Sequence, residues 1–259
     1  MKKLIYWIGI VVVLVVGVDM IVSLTMRKYV SGHSLKGDYE TLDYLLRETD
    51  DSILVLGSSV AQNSFNTARI SDSLNMTAYN GGANGQTFPF YLTLLKEITR
   101  QHHINTVILA ITAPNLVDSG IGSRYNLLAP YYGMGYSAVD SGMESKSKIE
   151  KILLKSNLYR YNTIWWRILL YNFVSSGTRH EAGYVSKGIP AYFPKREKIP
   201  EDNLITEERA AQLSEFAGIC RQHGVRLIVV LTPRYQEVPE TTKIMETLKR
   251  GKKNGDFQL

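Results

Sequence analysis

Three short polar segments, each directly after an apolar run, carry residue types that can stabilise negative charge during acyl transfer. The segments are residues 57–59 (Gly-Ser-Ser), residues 80–82 (Asn-Gly-Gly) and Asn115. A serine hydroxyl is a nucleophile once a base takes its proton, whereas glycine N–H groups and an asparagine amide are hydrogen-bond donors for an oxyanion. These residue types predict a serine nucleophile with oxyanion donors around it.

The surrounding pattern predicts the elements that position these residues. Apolar runs typical of buried strands occupy residues 52–56, 76–79, 106–111 and 225–231, and helical patterns occupy residues 66–74, 90–102 and 206–223. Strands that alternate with helices form a parallel sheet with right-handed crossovers. Ligands of such sheets bind beyond the carboxyl ends of the strands, where the three polar segments should therefore meet.

This arrangement resembles the SGNH (GDSL-like) hydrolase superfamily, in which four sequence blocks supply Ser, Gly, Asn and His. Ser59 takes the nucleophile position, and Ser58 replaces the usual aspartate of Gly-Asp-Ser. Gly82 matches the second block and Asn115 the third, although Ala-Pro-Asn-Leu replaces the usual Gly-x-Asn-Asp. The resemblance covers about residues 51–116 and is closest to the membrane-anchored, envelope-associated branch.

The resemblance implies a three-layer, flavodoxin-like, mainly parallel sheet and chemistry on esters. Ser59 would be the nucleophile, and its own N–H, the Gly82 N–H and the Asn115 side chain would surround the oxyanion. Ser59 Oγ, Gly82 N and the Asn115 side chain should then lie within roughly 8 Å of a common point. The alternative is a flavodoxin-like sheet whose serine loop only caps a helix.

The fourth block, Asp-x-x-His, is absent: no aspartate has a histidine three positions later. The histidines are His33, His102, His103, His180 and His223. Of these, His180 is the first substitute for the missing base, and His223 suits a helix C-terminus without catalysis. We expect a chain cut short before its catalytic histidine, with the last strand of the sheet unpaired and little or no esterase activity.

No cofactor or metal is predicted. The sequence contains neither a Walker loop, nor the G-x-S-x-G elbow, nor the dinucleotide fingerprint, and its single cysteine excludes a zinc site built on paired cysteines. Cys220 lies within a helical pattern and is interpreted as a small buried side chain rather than a nucleophile. The net charge of +6 is modest and scattered, which argues against nucleic acid and permits contact with an anionic membrane.

The N-terminus predicts a membrane anchor. Residues 4–24 contain one charge, Asp19, and span about 31 Å as a helix, enough to cross a bilayer. A cleavable signal peptide is the alternative, but the apolar run is long for one and no small-x-small site follows it. Asp19 marks either a partner helix in the membrane or a helix end that reaches the interface.

Residues 1–28 are thus the predicted anchor, 29–50 a juxtamembrane linker, and 51–259 an extracytoplasmic α/β domain with an insertion at about 117–205. Tyrosine and tryptophan are frequent in the insertion, where residues 149–173 predict one long helix or two short ones. Its aromatic rings either pack against the domain or rest at a membrane interface.

Together these features predict a single-pass, membrane-anchored esterase or acyltransferase that acts on acyl esters of an envelope polysaccharide or lipid. The alternative function is a non-catalytic, membrane-anchored binding or scaffold protein of the cell envelope. The two differ in whether a usable histidine base exists.

Overall fold

The structure is a computed structural model that describes residues 2–31, 36–116, 126–145, 147–162, 164–173, 182–186, 197–198, 205–232, 236–237 and 243–259. The chain divides into two compact units. The first consists of Met1–Asp43 with Tyr125–Ser176, and the second of Tyr44–Arg124 with Gly177–Leu259.

Helices and strands alternate through much of the described chain. The helices are α1 (Lys2–Ser31), α2 (Asp38–Arg47), α3 (Ser59–Ser64), α4 (Thr67–Leu74), α5 (Phe88–Gln101), α6 (Ala113–Leu116), a 3₁₀ helix (Asn126–Tyr131), α7 (Ser137–Glu144), α8 (Lys148–Leu153), α9 (Asn157–Tyr161), α10 (Trp165–Phe173), α11 (Glu207–Gln222) and α12 (Lys243–Lys253). The strands are β1 (Ile53–Gly57), β2 (Ala78–Asn80), β3 (Thr106–Ile111), β4 (Glu197–Lys198), β5 (Arg226–Leu231) and β6 (Gln236–Glu237).

The second unit is built on a four-stranded sheet of order β2-β1-β3-β5, in which every neighbouring pair is parallel. The predicted α/β class with a parallel sheet is therefore confirmed. β1 is buried along its whole length because its apolar run Ile-Leu-Val-Leu is covered on both faces. A separate short parallel pair joins β4 and β6.

Helices cover the sheet through small and aromatic side chains. Ala61 of α3 packs with Val55 of β1 and Ala110 of β3 in one fully buried cluster. On α5 and α11, Phe88 and Phe216 meet edge to face with ring centroids 6.0 Å apart. The alanine cluster fixes α3, which carries Ser59, against the two central strands.

The outer edge of β5 is paired at one point. Gln258 forms a parallel bridge with Ile228, its N–H donating to the Leu227 carbonyl at 3.0 Å and its own carbonyl accepting from Val229 N–H at 2.7 Å. The prediction that β5 would have no neighbour on this side is therefore wrong at this point.

In the first unit, α1 is long and apolar enough to cross a membrane. The prediction of one long or two short helices over residues 149–173 is wrong, because three helices, α8, α9 and α10, occupy this stretch. Ser147 and Ser156 explain two of the boundaries: each side-chain oxygen accepts a backbone N–H in the first turn of the helix it precedes.

Candidate functional site

The carboxyl ends of three neighbouring strands lie at one edge of the sheet. β1 ends at Gly57, β2 at Asn80 and β3 at Ile111, and the three strands are parallel. The residues predicted for chemistry follow directly: Ser59 after β1, Gly82 after β2 and Asn115 after β3. The topology therefore brings all three to the same edge, as the sequence predicted.

The turn from β1 into α3 requires a glycine and exposes the second serine. Gly57 has φ +155°, and a Cβ there would lie 2.3 Å from the carbonyl oxygen of Ala110. Ser58 is the N-cap of α3, and Ser59 is its first residue. The Ser59 side chain is half-buried, and it makes no hydrogen bond to any residue that the structure describes. Its hydroxyl is therefore available to a ligand.

Ser58 faces inward instead. Its side-chain oxygen caps α3 by accepting the Val60 N–H at 3.5 Å. Burial raises the pKa of Tyr91, so its hydroxyl stays protonated and donates to the Gln86 carbonyl at 2.5 Å. Ser58 thus caps α3, and Tyr91 holds the loop after β2 through Gln86.

Asn80 joins the loop after β2 to α3. Its side chain is fully buried; Nδ2 donates to the carbonyls of Ala61 at 2.9 Å and Phe65 at 2.8 Å, and Oδ1 accepts the Gly82 N–H at 2.9 Å. Gly82 itself approaches α3 closely, since a Cβ there would lie 2.4 Å from the backbone nitrogen of Gln62. Gly82 therefore lies beside the helix of Ser59, but its N–H is engaged by Asn80.

We expect Asn80→Ala to lower the free energy of unfolding by about 3 kcal/mol, because it removes three hydrogen bonds to backbone groups and leaves the buried Gly82 N–H without a partner. For a chain of this size that corresponds to a Tm decrease of roughly 6–12 °C in a detergent-solubilised thermal melt. The matched control is Asn84→Ala in the same loop, where the side chain is exposed. Equal Tm values for the two variants would contradict this role of Asn80.

The loop after β2 holds a third glycine, Gly85, to which the sequence pattern assigned no separate role. Gln86 N–H donates to the Ala83 carbonyl at 3.3 Å, which closes a four-residue turn with Gly85 in its third position at φ +70°. The Gly85 N–H makes no hydrogen bond within the described ranges. The signal in the sequence was a third glycine within five residues, which indicates a tight turn.

The orientation of the Asn115 amide follows from its partners. Thr112 donates to Asn115 Oδ1 twice, from its N–H at 2.9 Å and from its hydroxyl at 2.7 Å. Because the backbone N–H of Thr112 is only a donor, the oxygen of the amide must face it. Nδ2 consequently points away from Thr112 and donates to no described residue, so it is available as a donor at this edge of the sheet.

The histidines inside the described ranges lie at the opposite edge. His102 and His103 fall between α5 and β3, and His223 between α11 and β5, so all three precede a strand rather than follow one. His102 Nε2 lies 3.3 Å from the Leu46 carbonyl. The length of β3, about 20 Å, separates the two edges. His33 and His180 lie outside the described residues.

Part of the insertion contacts the elements of the candidate site. The Ala182 carbonyl accepts from Asn80 N–H at 2.8 Å and from the Thr67 hydroxyl at 3.0 Å, and Val185 N–H donates to the Gln62 carbonyl at 3.0 Å. Residues 182–186 therefore lie against β2 and α3, the two elements that carry the glycine loop and Ser59.

Other candidate chemistry is absent from the described part of this edge. Cys220 is buried, and burial raises the pKa of its thiol to about 12, which supports the interpretation as a packing residue. It lines a cavity of about 450 Å³ with the start of β5 and the end of α12, at the amino-terminal edge of the sheet. Among the described residues, no three His, Cys, Asp or Glu side chains are grouped to hold a metal ion.

Comparison with known proteins adds no assignment. No family model matches this chain, and no curated protein matches it.

Proposed function

We propose that this chain is a membrane-anchored serine esterase or acyltransferase of the SGNH (GDSL-like) type, acting on acyl esters of envelope glycans or lipids. The observation that carries the proposal is the pairing of an unengaged Ser59 hydroxyl with an Asn115 amide whose Nδ2 is available at the same edge of the sheet. Acyl transfer uses a nucleophile together with donors for the oxyanion, and both kinds of group follow strand ends at this edge of the sheet.

In the proposed reaction Ser59 Oγ attacks the ester carbonyl. A bond forms between Oγ and the carbonyl carbon, and the bond from that carbon to the oxygen of the leaving alcohol breaks. The serine proton passes through a base or water to that leaving oxygen. Water or an acceptor alcohol then attacks the acyl-serine and releases Ser59. The oxyanion of each step would accept hydrogen bonds from Asn115 Nδ2 and the Ser59 N–H.

The backbone donor of the second loop is proposed to be Gly85 rather than Gly82. The Gly82 N–H already donates to Asn80, whereas the Gly85 N–H has no partner among the described residues. Gly82 keeps a separate task in this proposal, because its lack of a side chain lets the loop approach α3.

One observation favours a second function, a non-catalytic binding protein that uses the same edge of the sheet. His102, His103 and His223 all lie at the opposite edge, so none of them serves as the base of Ser59. A binding protein would use the Ser59 hydroxyl and the Asn115 amide to hold an acyl or glycosyl group without turnover.

Hydrolysis of an activated acetyl ester by the full chain in detergent micelles separates the two functions. The proposal expects release of the leaving group above the protein-free rate, and it expects Ser59 to carry that excess. A binding protein would give the protein-free rate with every variant.

A further inference from the structure

Two short helices of the first unit expose apolar stripes. On α8 the stripe consists of Ile149, Ile152 and Leu153, with Ile149 68% exposed. On α10 it consists of Trp166, Leu170 and Phe173, with Phe173 77% exposed. Spacings of three, four and seven residues place each set on one helix face. Because Ile168 on the opposite face of α10 is fully buried, α10 is apolar on both sides.

Asp19 fixes the position of α9, and with it the end of α8, along α1. Its carboxylate accepts hydrogen bonds from Ser156 Oγ at 2.7 Å, Asn157 Nδ2 at 2.8 Å and the Leu158 N–H at 2.8 Å. These donors form the start of α9, and Ser156 is three residues beyond the last residue of α8. The start of α9 and the end of α8 are therefore held at the level of Asp19.

The rest of the first unit covers α1 on the C-terminal side of Asp19 and leaves it exposed on the N-terminal side. Beyond Asp19, Met26 and Val30 are buried and lie on the same face of α1 as Asp19, seven and eleven residues away. Before Asp19, the large apolar side chains from Leu4 to Val18 are exposed apart from Ile10, which is partly exposed. Protein thus covers one face of α1 from Asp19 onward.

The part of α1 that no protein covers on any face is shorter than a bilayer core. Residues 4–18 span about 22 Å, whereas the hydrocarbon layer is about 30 Å thick and is matched by residues 4–24 at about 31 Å. If α1 crosses the bilayer, hydrocarbon extends roughly 8 Å past Asp19. At that depth the hydrocarbon meets the end of α8 and the start of α9, and α10 begins four residues after the last residue of α9. The side chains that form the stripes of α8 and α10 are apolar.

We propose that the apolar stripes of α8 and α10 lie in the interface of the same bilayer that α1 crosses. Trp165 and Trp166 suit the interface because indole rings are amphipathic, and Lys148, at the start of α8, and Lys155, just beyond its end, suit anionic headgroups. The three donors on Asp19 lower the cost of a carboxylate at this depth. The inference rests on α1 as the anchor and does not depend on ester chemistry.

Tryptophan fluorescence of the full chain in lipid vesicles tests the proposal. The chain has three tryptophans, so Trp7→Phe leaves Trp165 and Trp166 as the only probes. The vesicles contain phosphatidylcholine and phosphatidylglycerol, with bromine on the acyl chains either near the headgroup or near the bilayer centre. We expect blue-shifted emission that falls by about half with bromine near the headgroup and less with bromine near the centre.

Two fluorescence results would overturn the proposal. Emission typical of water that no brominated lipid quenches would show the stripes in solvent, and blue-shifted emission without quenching would show them covered by protein, for example by a second copy. Release of the chain from the vesicles by alkaline carbonate would show that α1 does not cross the bilayer, and this would overturn the proposal whatever the esterase assay shows.

A matched pair of variants tests the depth argument. In the Trp7→Phe background, Asp19→Ala removes the bonds to α9 and should weaken quenching of Trp165 and Trp166. Thr25→Ala, which removes only a bond to Ile21 within α1 at 2.8 Å, should leave quenching unchanged. Equal quenching in the two variants would contradict the positioning by Asp19.

Discussion

Replacing Ser59 by alanine is expected to lower the hydrolysis of an activated acetyl ester by about 10²–10⁴-fold, to the rate measured without protein. Loss of the nucleophile from a complete serine triad costs about 10⁶-fold, and general-base assistance accounts for about 10²–10⁴-fold of that. No histidine inside the described ranges lies near Ser59, so the share of the rate that general-base assistance supplies is left out for this chain. The effect expected of Ser59→Ala is therefore the part of the 10⁶-fold factor that remains, about 10²–10⁴-fold. The measurement is the initial rate of leaving-group release at fixed protein concentration.

Ser64→Ala is the matched control for this experiment. Ser64 is exposed and ends the same helix that Ser59 begins, so its substitution tests the effect of losing a hydroxyl from α3. We expect it to retain the wild-type rate. Equal rates for the wild type and Ser59→Ala would exclude Ser59 as the nucleophile. A Ser59-dependent rate far above this range would indicate a base in place, and His180→Ala would be the first variant to examine.

Asn115→Ala is expected to lower kcat by about 10²–10³-fold with a smaller change in KM, because removal of one oxyanion donor acts mainly on the transition state. The prediction depends on the orientation of the amide: Thr112 holds Oδ1 with two hydrogen bonds, which directs Nδ2 outward. Steady-state kinetics on the same ester provide the measurement.

Thr112 variants test whether the hydrogen bonds from Thr112 orient the Asn115 amide for its role as a donor. Thr112→Ser keeps the hydroxyl that donates to Asn115 and should preserve kcat, whereas Thr112→Val removes one of the two bonds and should lower kcat by about 2–10-fold. An unchanged kcat in Asn115→Ala, with the protein folded, would remove this side chain from the oxyanion site. A drop shared equally by the exposed Asn84→Ala would show that the loss is not specific to Asn115.

The four strands of the main sheet and the helices α4, α5 and α11 were predictable because their signals are local. β3 has the predicted bounds, since an unbroken apolar run is what a strand buried on both faces requires. α4 begins after Asn66 as predicted, and the Asn66 side chain accepts the Arg69 N–H at 3.1 Å. The order of the strands then placed Ser59, Gly82 and Asn115 at one edge.

The details of the site were less predictable because they depend on partners distant in sequence. Nothing local shows that the buried Asn80 side chain accepts the Gly82 N–H, whereas the Gly85 N–H has no partner among the described residues. The same holds for Asp19, whose partners at residues 156–158 lie more than a hundred positions away. The capping serine Ser147, followed three residues later by Glu150, was a local signal for the start of α8 that the aromatic pattern obscured.

Whether Ser59 becomes acylated is tested most directly by locating the acyl group. The full chain is mixed with an activated acetyl ester, quenched in acid, digested and analysed by tandem mass spectrometry. We predict one added acetyl group on Ser59, present in Ser64→Ala and absent in Ser59→Ala. Turnover of the ester with no acetyl group on Ser59, or with the group on another residue that survives in Ser59→Ala, would contradict the assignment of Ser59 as the nucleophile.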